Sequence, residues 1–402
     1  MVPAGDLETF RAAVRYGADA IYIGGEAFSL RAKAVNFSAE DMKKAVNLAR
    51  EHNVKVYVTA NIYAHNYDLE EIKEYLKELN DIKPDAVLIS DIGVINIAKE
   101  TLKGIDIHLS TQANTTNYET VKFFRDLGIK RVVLARELSL EEIREIKDKV
   151  KDTVEIETFV HGSMCISYSG RCLLSAYMTG KSANDGMCTH PCRWKYMLLE
   201  EEERKGEYMP VMETERGTYI FNSKDLNMIE HIDELIDAGI DSLKIEGRMK
   251  SPLYVAIVTR TYRKAIDDYY KGIDIYKNDL RYLKDEIGKC TYREYTTGFY
   301  FGKPDETTQI YDNSTYIKGA TLYGIVDRVE NDFAYFEQKN KFSVGDTLIA
   351  MKPDFTNLEV KVMAIYDEET GKALESCAHA KEKLKVQFDK RLEATDVLRS
   401  IN

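Results

Sequence analysis

Four cysteines crowded into the middle of the chain have the most chemistry to offer: Cys165, Cys172, Cys188 and Cys192, separated by six, fifteen and three residues. They are four of only six thiols in 402 residues, too concentrated to be scattered core fillers. In a chain without secretory features, thiols this close more often hold a metal than form a disulfide framework. Zinc sites gather their cysteines in tight pairs. The Cys188/Cys192 pair meets that pattern, and the Cys165/Cys172 pair is loose for it. Iron–sulfur clusters are larger than a single ion and accept wider spacings, still on four thiolates. Gly162, Gly170, Gly180 and Gly186 suit a backbone that bends around a bulky group and turns N–H groups toward it. Spacing alone leaves three readings: an iron–sulfur cluster, a zinc ion, or redox-active or structural thiols.

The elements that must position these thiols follow a helix-and-strand rhythm over residues 6–250. Asp6 is placed to cap a first helix in which Leu7, Phe10 and Val14 share one face, and Gly17 to end it. Strand-like runs are AIYIGG (20–25), KVYVTANIY (55–63), AVLIS (86–90), IHLSTQ (107–112), RVVLAR (131–136), EIETFV (155–160) and SLKIEG (242–247). Helical patterns at 40–52, 69–80, 94–102, 117–126, 140–150 and 225–238 separate them. Nearly continuous apolar runs of this length are what parallel strands covered on both faces require. The pattern predicts an α/β fold, a TIM-like (β/α) barrel rather than an open doubly wound sheet. No G-x-G-x-x-G turn follows the first strand, so dinucleotide binding has no support. With the stub Val2–Pro3 and GTYIFNS (217–223) there are nine strand candidates for eight places. One therefore lies outside the barrel, or the cysteine insertion contributes its own hairpin. A full first strand would need several residues before VPAGD, which reads as a clipped N-terminus.

Polar residues gather at the carboxyl ends of these runs: Thr59 and Asn61, Ser90 and Asp91, Ser110 to Gln112 with Asn114, Arg136 and Glu137, His161, Ser223 to Asp225, and Glu246 with Arg248. In a barrel they share the rim where active sites sit. The cysteine segment, 157–196, follows ETFV and hangs over the same rim. The reading divides the chain into a barrel (1–250), a helical connection (251–305) and a small C-terminal all-β barrel (306–402) that could dock RNA.

With 44% hydrophobic and 31% charged residues the composition is that of an ordinary globular protein. A net charge of −11 disfavours binding nucleic acid through overall charge. Lys244, Arg248, Lys250, Arg260, Arg263 and Lys264, with Tyr254 and Tyr262 between them, form either a local basic surface or an ordinary solvated helix face. There is no run of 18 apolar residues and no basic-then-apolar leader, so the cytoplasm is expected and a membrane is not.

The stretch ETFVHGSMCISYSGRCLLS resembles the signature of the collagenase-like peptidase family U32. KSANDGMCTHPCRWKY, SKDL (223–226), KIEGRMKSPLYVA (244–256), GFYFG and FSVGD resemble its further blocks, so the likeness spans essentially the whole chain. The resemblance implies a 4Fe–4S cluster on Cys165, Cys172, Cys188 and Cys192. It further implies hydroxylation of an RNA base or a quinone precursor, most closely the prephenate-dependent formation of 5-hydroxyuridine at the tRNA wobble position. A homologous partner subunit is a further expectation. The chain departs from the pattern at Lys181, Asp185 and His190, where arginine, arginine and glutamine are expected; Asp185 replaces a positive charge near the thiols.

Peptidase chemistry has little to work with: no H-E-x-x-H, no G-x-S-x-G after a strand, and one rim histidine, His161. A scaffold built around structural zinc is the remaining alternative. The hydroxylase reading gives Glu157, His161 and Glu246 catalytic proton-handling roles. Arg136, Lys244 and Arg248 would clamp a small dicarboxylate donor. Gln112, Asn114, Arg171, Ser223, Lys224 and Asp225 complete the substrate-binding set. Trp194 is expected to pack over the cluster, and Cys290 and Cys377 to be buried hydrophobes.

Overall fold

The computed structural model describes the chain except residues 27, 30–35, 166, 185–186, 190, 194–211, 215–216, 220–222, 303–315, 380 and 401–402. Asp185, His190 and Trp194 therefore lie outside the described residues, as does Pro304 in the expected linker. The chain forms two compact units: Met1–Phe10 with Asp19–Lys250 and Arg293–Tyr316, and Arg11–Ala18 with Ser251–Tyr292 and Ile317–Asn402.

In the first unit seven strands pair in sequence order, all parallel: β1 (Val2–Pro3), β2 (Ala20–Gly24), β3 (Lys55–Thr59), β4 (Ala86–Ile89), β5 (Asp106–Leu109), β6 (Arg131–Val133) and β7 (Glu155–Ser163). Helices α1 (Leu7–Arg15), α2 (Ala39–Glu51), α3 (Leu69–Ile82), α4 (Ile92–Thr101), α5 (Tyr118–Asp126) and α6 (Leu140–Val150) connect them. Their starts are fixed by side chains that satisfy orphan N–H groups. Asp6 accepts from Thr9 N–H at 2.7 Å, Asp91 from Val94 N–H at 2.9 Å, and Ser139 forms a capping box with Glu142. The rim residue Asp91 is thus a helix cap.

After β7 come α7 (Leu174–Thr179), a hairpin of β8 (Met212–Thr214) and β9 (Gly217–Tyr219), then β10 (Asp225–Asn227), α8 (Ile232–Asp237) and β11 (Ser242–Ile245). β11 runs parallel to β7, and Ile245 N–H donates to Met1 C=O at 3.0 Å. β1 to β7 and β11 are therefore the eight strands of a closed (β/α) barrel. The ninth candidate, 217–223, is the one outside: its strand Gly217–Tyr219 pairs with β8.

One local expectation is corrected. Residues 225–238 do not form one helix; α8 starts only at Ile232. β7 runs nine residues, well past the end of β6, and its protruding His161–Ser163 segment pairs antiparallel with β10. An unpaired backbone edge there outweighs the helical pattern of the sequence.

The second unit combines α9 (Pro252–Lys271), α10 (Ile273–Ile287) and an eight-stranded antiparallel half-barrel over Leu322–Arg399. Phe336, Phe342, Leu348, Val360, Val386 and Leu398 fill its core, and Cys377 is buried with them. The helices from the expected 251–305 connection belong with this sheet, and residues 293–316 return to the first unit. The charge run on α9 is neither a basic surface nor wholly solvated. Arg260 is buried against Glu286, Arg263 pairs with Asp267 at 2.7 Å, and Lys264 bridges Asp268 and Asp279. Among the described residues no helix is long and apolar enough to cross a membrane.

Candidate active site

The barrel interior carries charge at the amino-terminal ends of its strands. Arg131 opens β6, Ser242 opens β11, and Glu157 is the third residue of β7. The fully buried Glu157 carboxylate accepts from Ser242 Oγ at 2.7 Å and Arg131 Nη1 at 3.1 Å, with Lys244 Nζ 3.4 Å away. Burial alone would push this carboxyl up, but Lys244, Arg131 and the Ser242 hydroxyl outweigh it and hold it below the usual carboxylate range. The Arg131 guanidinium also lies over the Tyr57 ring, and Tyr57 meets His108 edge-on. Burial, reinforced by Arg131, pushes His108 down to about 3, so its ring is neutral. Glu157, expected as a catalytic group, thus sits in this lower layer, at the opposite end of β7 from the rim.

Lys244 lies between the layers, with Nζ 4.8 Å from the Tyr22 ring centroid and 5.1 Å from that of Phe159. Its ammonium is pushed down by burial, partly offset by Glu157 and Glu246. Above it, Tyr22 Oη donates to Glu246 at 3.1 Å, and Arg248 Nη1 donates to Ser29 Oγ and to Thr59 Oγ1, the latter at 3.1 Å. Gly24 makes room for that guanidinium: a Cβ there would lie 1.9 Å from Nη1. Asn61 Nδ2 donates to Ser110 Oγ and Gln112 Oε1, both at 3.1 Å, linking the ends of β3 and β5.

Arg136 stacks its guanidinium 3.8 Å from the Phe159 ring centroid and donates from Nη1 to Ser163 C=O at 2.9 Å. His161 is buried beside β10 and faces the Tyr295 ring. Burial pushes it down to about 4 despite Asp225 and Asn227, which leaves a neutral imidazole. Asp225 is committed to a buried ion pair: Arg293 Nη2 and Nε donate to Oδ1 at 2.8 and 3.2 Å, and Arg293 N–H to Oδ2 at 3.1 Å. Lys224 pairs with Glu294 at 2.9 Å on the same edge, beside the half-buried Ser223. These three, expected as substrate binders, lie along the seam joining β10 to the short strand Tyr295–Thr296; Asp225 and Lys224 tie it through ion pairs.

The cysteine segment leaves β7 at Gly162, whose φ of +106° and missing Cβ let Glu246 C=O approach; a Cβ would meet that oxygen at 2.4 Å. Two strand-end loops pin the segment from below. Asn114 Nδ2 donates to Tyr168 C=O at 3.3 Å, and Arg171 Nε and Nη2 donate to Gln112 C=O at 3.1 and 2.9 Å. Glu137 holds Ser169 through its N–H at 2.5 Å and its hydroxyl at 2.6 Å. Ser175 and Thr189 then tie α7 to the segment bearing Cys188, with Oγ to Oγ1 at 3.0 Å. All four cysteines are unbridged, Cys165 exposed and the others half-buried. Among the described residues no three His, Cys, Asp or Glu side chains converge into a metal-ready group. The donor set suits a group held by four thiolates, and the Ser175–Thr189 bond links the helix that follows Cys172 to the residue after Cys188.

Sequence reasoning brought Gln112, Asn114, Arg136, Arg171, Glu246 and Arg248 to one rim. It passed over Glu137 as a site residue, and it missed Ser29 and the partner of Asp225, Arg293. A serine midway between two cysteines was the available signal for the Glu137 contact.

A (β/α) barrel with a thiol-rich loop anchored across its carboxyl rim, followed by a half-barrel, defines the class of protein. The chain belongs to Peptidase family U32: that family's model matches residues 5–310, and the model of its C-terminal domain matches 319–399. It is 37% identical to tRNA hydroxylation protein P1 of Bacillus subtilis, over 99% of this chain and 94% of that protein. It is 39% identical to tRNA hydroxylation protein P of Escherichia coli, over 87% and 85%. It is also 32% identical, over 98% of both chains, to a protein of Porphyromonas gingivalis named collagenase.

Proposed function

We propose that this chain is an RNA-modifying enzyme of the cytoplasm that forms 5-hydroxyuridine at the wobble position of tRNA without O2. Prephenate is its co-substrate, and a 4Fe–4S cluster sits on Cys165, Cys172, Cys188 and Cys192. The observation that carries this reading is the unbridged thiol quartet on a loop bonded to residues of the barrel rim. The likeness to two tRNA hydroxylation proteins supports the substrate class. When bound, the cluster would supply redox or Lewis-acid chemistry that side chains lack.

The chain's own residues have separate tasks. Arg136, Lys244 and Arg248 are cations held in fixed positions by Phe159, Glu157, Ser29 and Thr59, suited to orienting a dicarboxylate. Glu246, oriented by Tyr22 Oη, and the neutral His161 are the groups that can accept a proton. Gln112 and Asn114 carry the cysteine loop and shape its approach to the rim. A homologous partner subunit fits the same reading.

The test is nucleoside mass spectrometry of tRNA from a strain lacking this chain, complemented with wild type or with Cys→Ala variants. Loss of 5-hydroxyuridine that only wild type restores is expected, with about four irons and four sulfides per anaerobically purified chain. Unchanged 5-hydroxyuridine in the deletion strain, or one zinc and no sulfide, would sink the reading. Because one relative is named collagenase, gelatin cleavage is measured in parallel, and none is expected.

A further inference from the structure

Ser169 lies four residues after Cys165 and three before Cys172, in a short turn over Tyr168–Gly170. Its φ of +41° places it in the left-handed region, which a residue with a Cβ occupies only when its surroundings compel it. What compels it is the carboxylate of Glu137, the fourth residue after the end of β6. Oε1 accepts the Ser169 N–H at 2.5 Å and Oε2 accepts its hydroxyl at 2.6 Å. Bonds to an ionised acceptor are shorter and stronger than neutral ones. The hydroxyl in turn accepts Arg136 N–H at 3.2 Å, and Ser169 is buried. A two-pronged charged clamp from the rim thus acts on the middle of the loop that carries the first thiol pair.

We propose that Glu137 is a positioning residue for Cys165 and Cys172: by holding Ser169 in the left-handed conformation it fixes the loop between them before any metal binds. The inference rests on the reading of these thiols as cluster ligands, but the clamp itself is present in the bare polypeptide. The second pair is held differently, through Ser175 and Thr189. Glu137 therefore acts directly on the loop of the first pair, and the second pair is reached only through those separate bonds.

The experiment compares wild type, Glu137→Ala, Ser169→Ala and Glu137→Ala/Ser169→Gly in the full chain. In metal-free, reduced protein, alkylation of each cysteine by iodoacetamide is followed by peptide mass spectrometry, with melting temperature as the fold control. Glu137→Ala should change the alkylation rates of Cys165 and Cys172 by about threefold or more and leave Cys188 and Cys192 unchanged. Ser169→Ala, which keeps the N–H bond, should give a smaller change. Glycine at 169 adopts the positive φ without help, so the double variant should return toward wild type. In protein reconstituted with iron and sulfide, Glu137→Ala should lose its absorption near 400 nm in air several-fold faster. Equal alkylation of all four cysteines in wild type and Glu137→Ala overturns the proposal, as does an equal change at both pairs. Wild type that binds no iron and sulfide removes the cluster reading alone; the alkylation rates still decide the clamp.

Discussion

The two ends of the barrel use similar side chains in different ways. At the amino-terminal end the Glu157 carboxylate accepts from Arg131 and Ser242 across β6, β7 and β11 and is reached from above by Lys244, so its charge is neutralised inside the fold. At the carboxyl rim, Arg136, Glu137, Asn114 and Arg171 instead make bonds between the barrel and the cysteine segment. The lower network holds strands to strands, and the upper one holds the cysteine loop to strands. Mutations at the first should therefore read out in stability and at the second in loop chemistry.

The largest expected effect is at the lower end. Glu157→Leu leaves Arg131 and Lys244 buried without their shared carboxylate and should cost about 3–5 kcal/mol in urea unfolding. Full stability with lost tRNA modification would overturn the assignment and return Glu157 to a catalytic role. Cutting the upper seam by Asp225→Leu leaves Arg293 buried without that carboxylate, with a loss on the order of 3 kcal/mol.

A smaller effect comes from pH. His161 and His108 titrate near 4 and 3 when folded, against about 6.5 when unfolded. Below about 6.5 the unfolded chain takes up protons that the folded chain refuses, so stability falls as pH drops toward 4. At pH 5 each histidine should account for about 2 kcal/mol of loss relative to pH 8. His161→Phe and His108→Phe should each flatten that slope in denaturant midpoints, and an unchanged slope would show that neither ring is buried neutral. The depressed Glu157 carboxyl has the same sense in a lower window: its contribution is present above the unfolded carboxyl value, about 4.3, and lost as pH falls through its folded value. The smallest effect is at Lys224, whose pair with Glu294 is half-exposed. Lys224→Ala should cost less than about 1 kcal/mol. A many-fold fall in tRNA modification at that small stability cost would restore Lys224 to the substrate-binding set.

The barrel was legible in the chain alone, because strands buried on both faces read as unbroken apolar runs at a steady spacing, and the order of segments put the thiols after β7. The sequence also determined which polar residues follow strand ends, and hence that Gln112, Asn114, Arg136, Glu246 and Arg248 would share a rim. Tertiary structure decided their partners. Glu157 and His161 are four residues apart on one strand, yet they occupy opposite ends of it, because its rise separates them by about 13 Å. Asp225 looks like a helix start until Arg293, 68 residues on, takes its carboxylate and the edge of β7 takes its backbone. Ser169 is an unremarked residue between two cysteines until Glu137, 32 residues earlier, fixes its conformation. Periodicity and spacing report what a residue's own segment needs, whereas a charge or a strained backbone is settled by whichever group the folded chain brings against it.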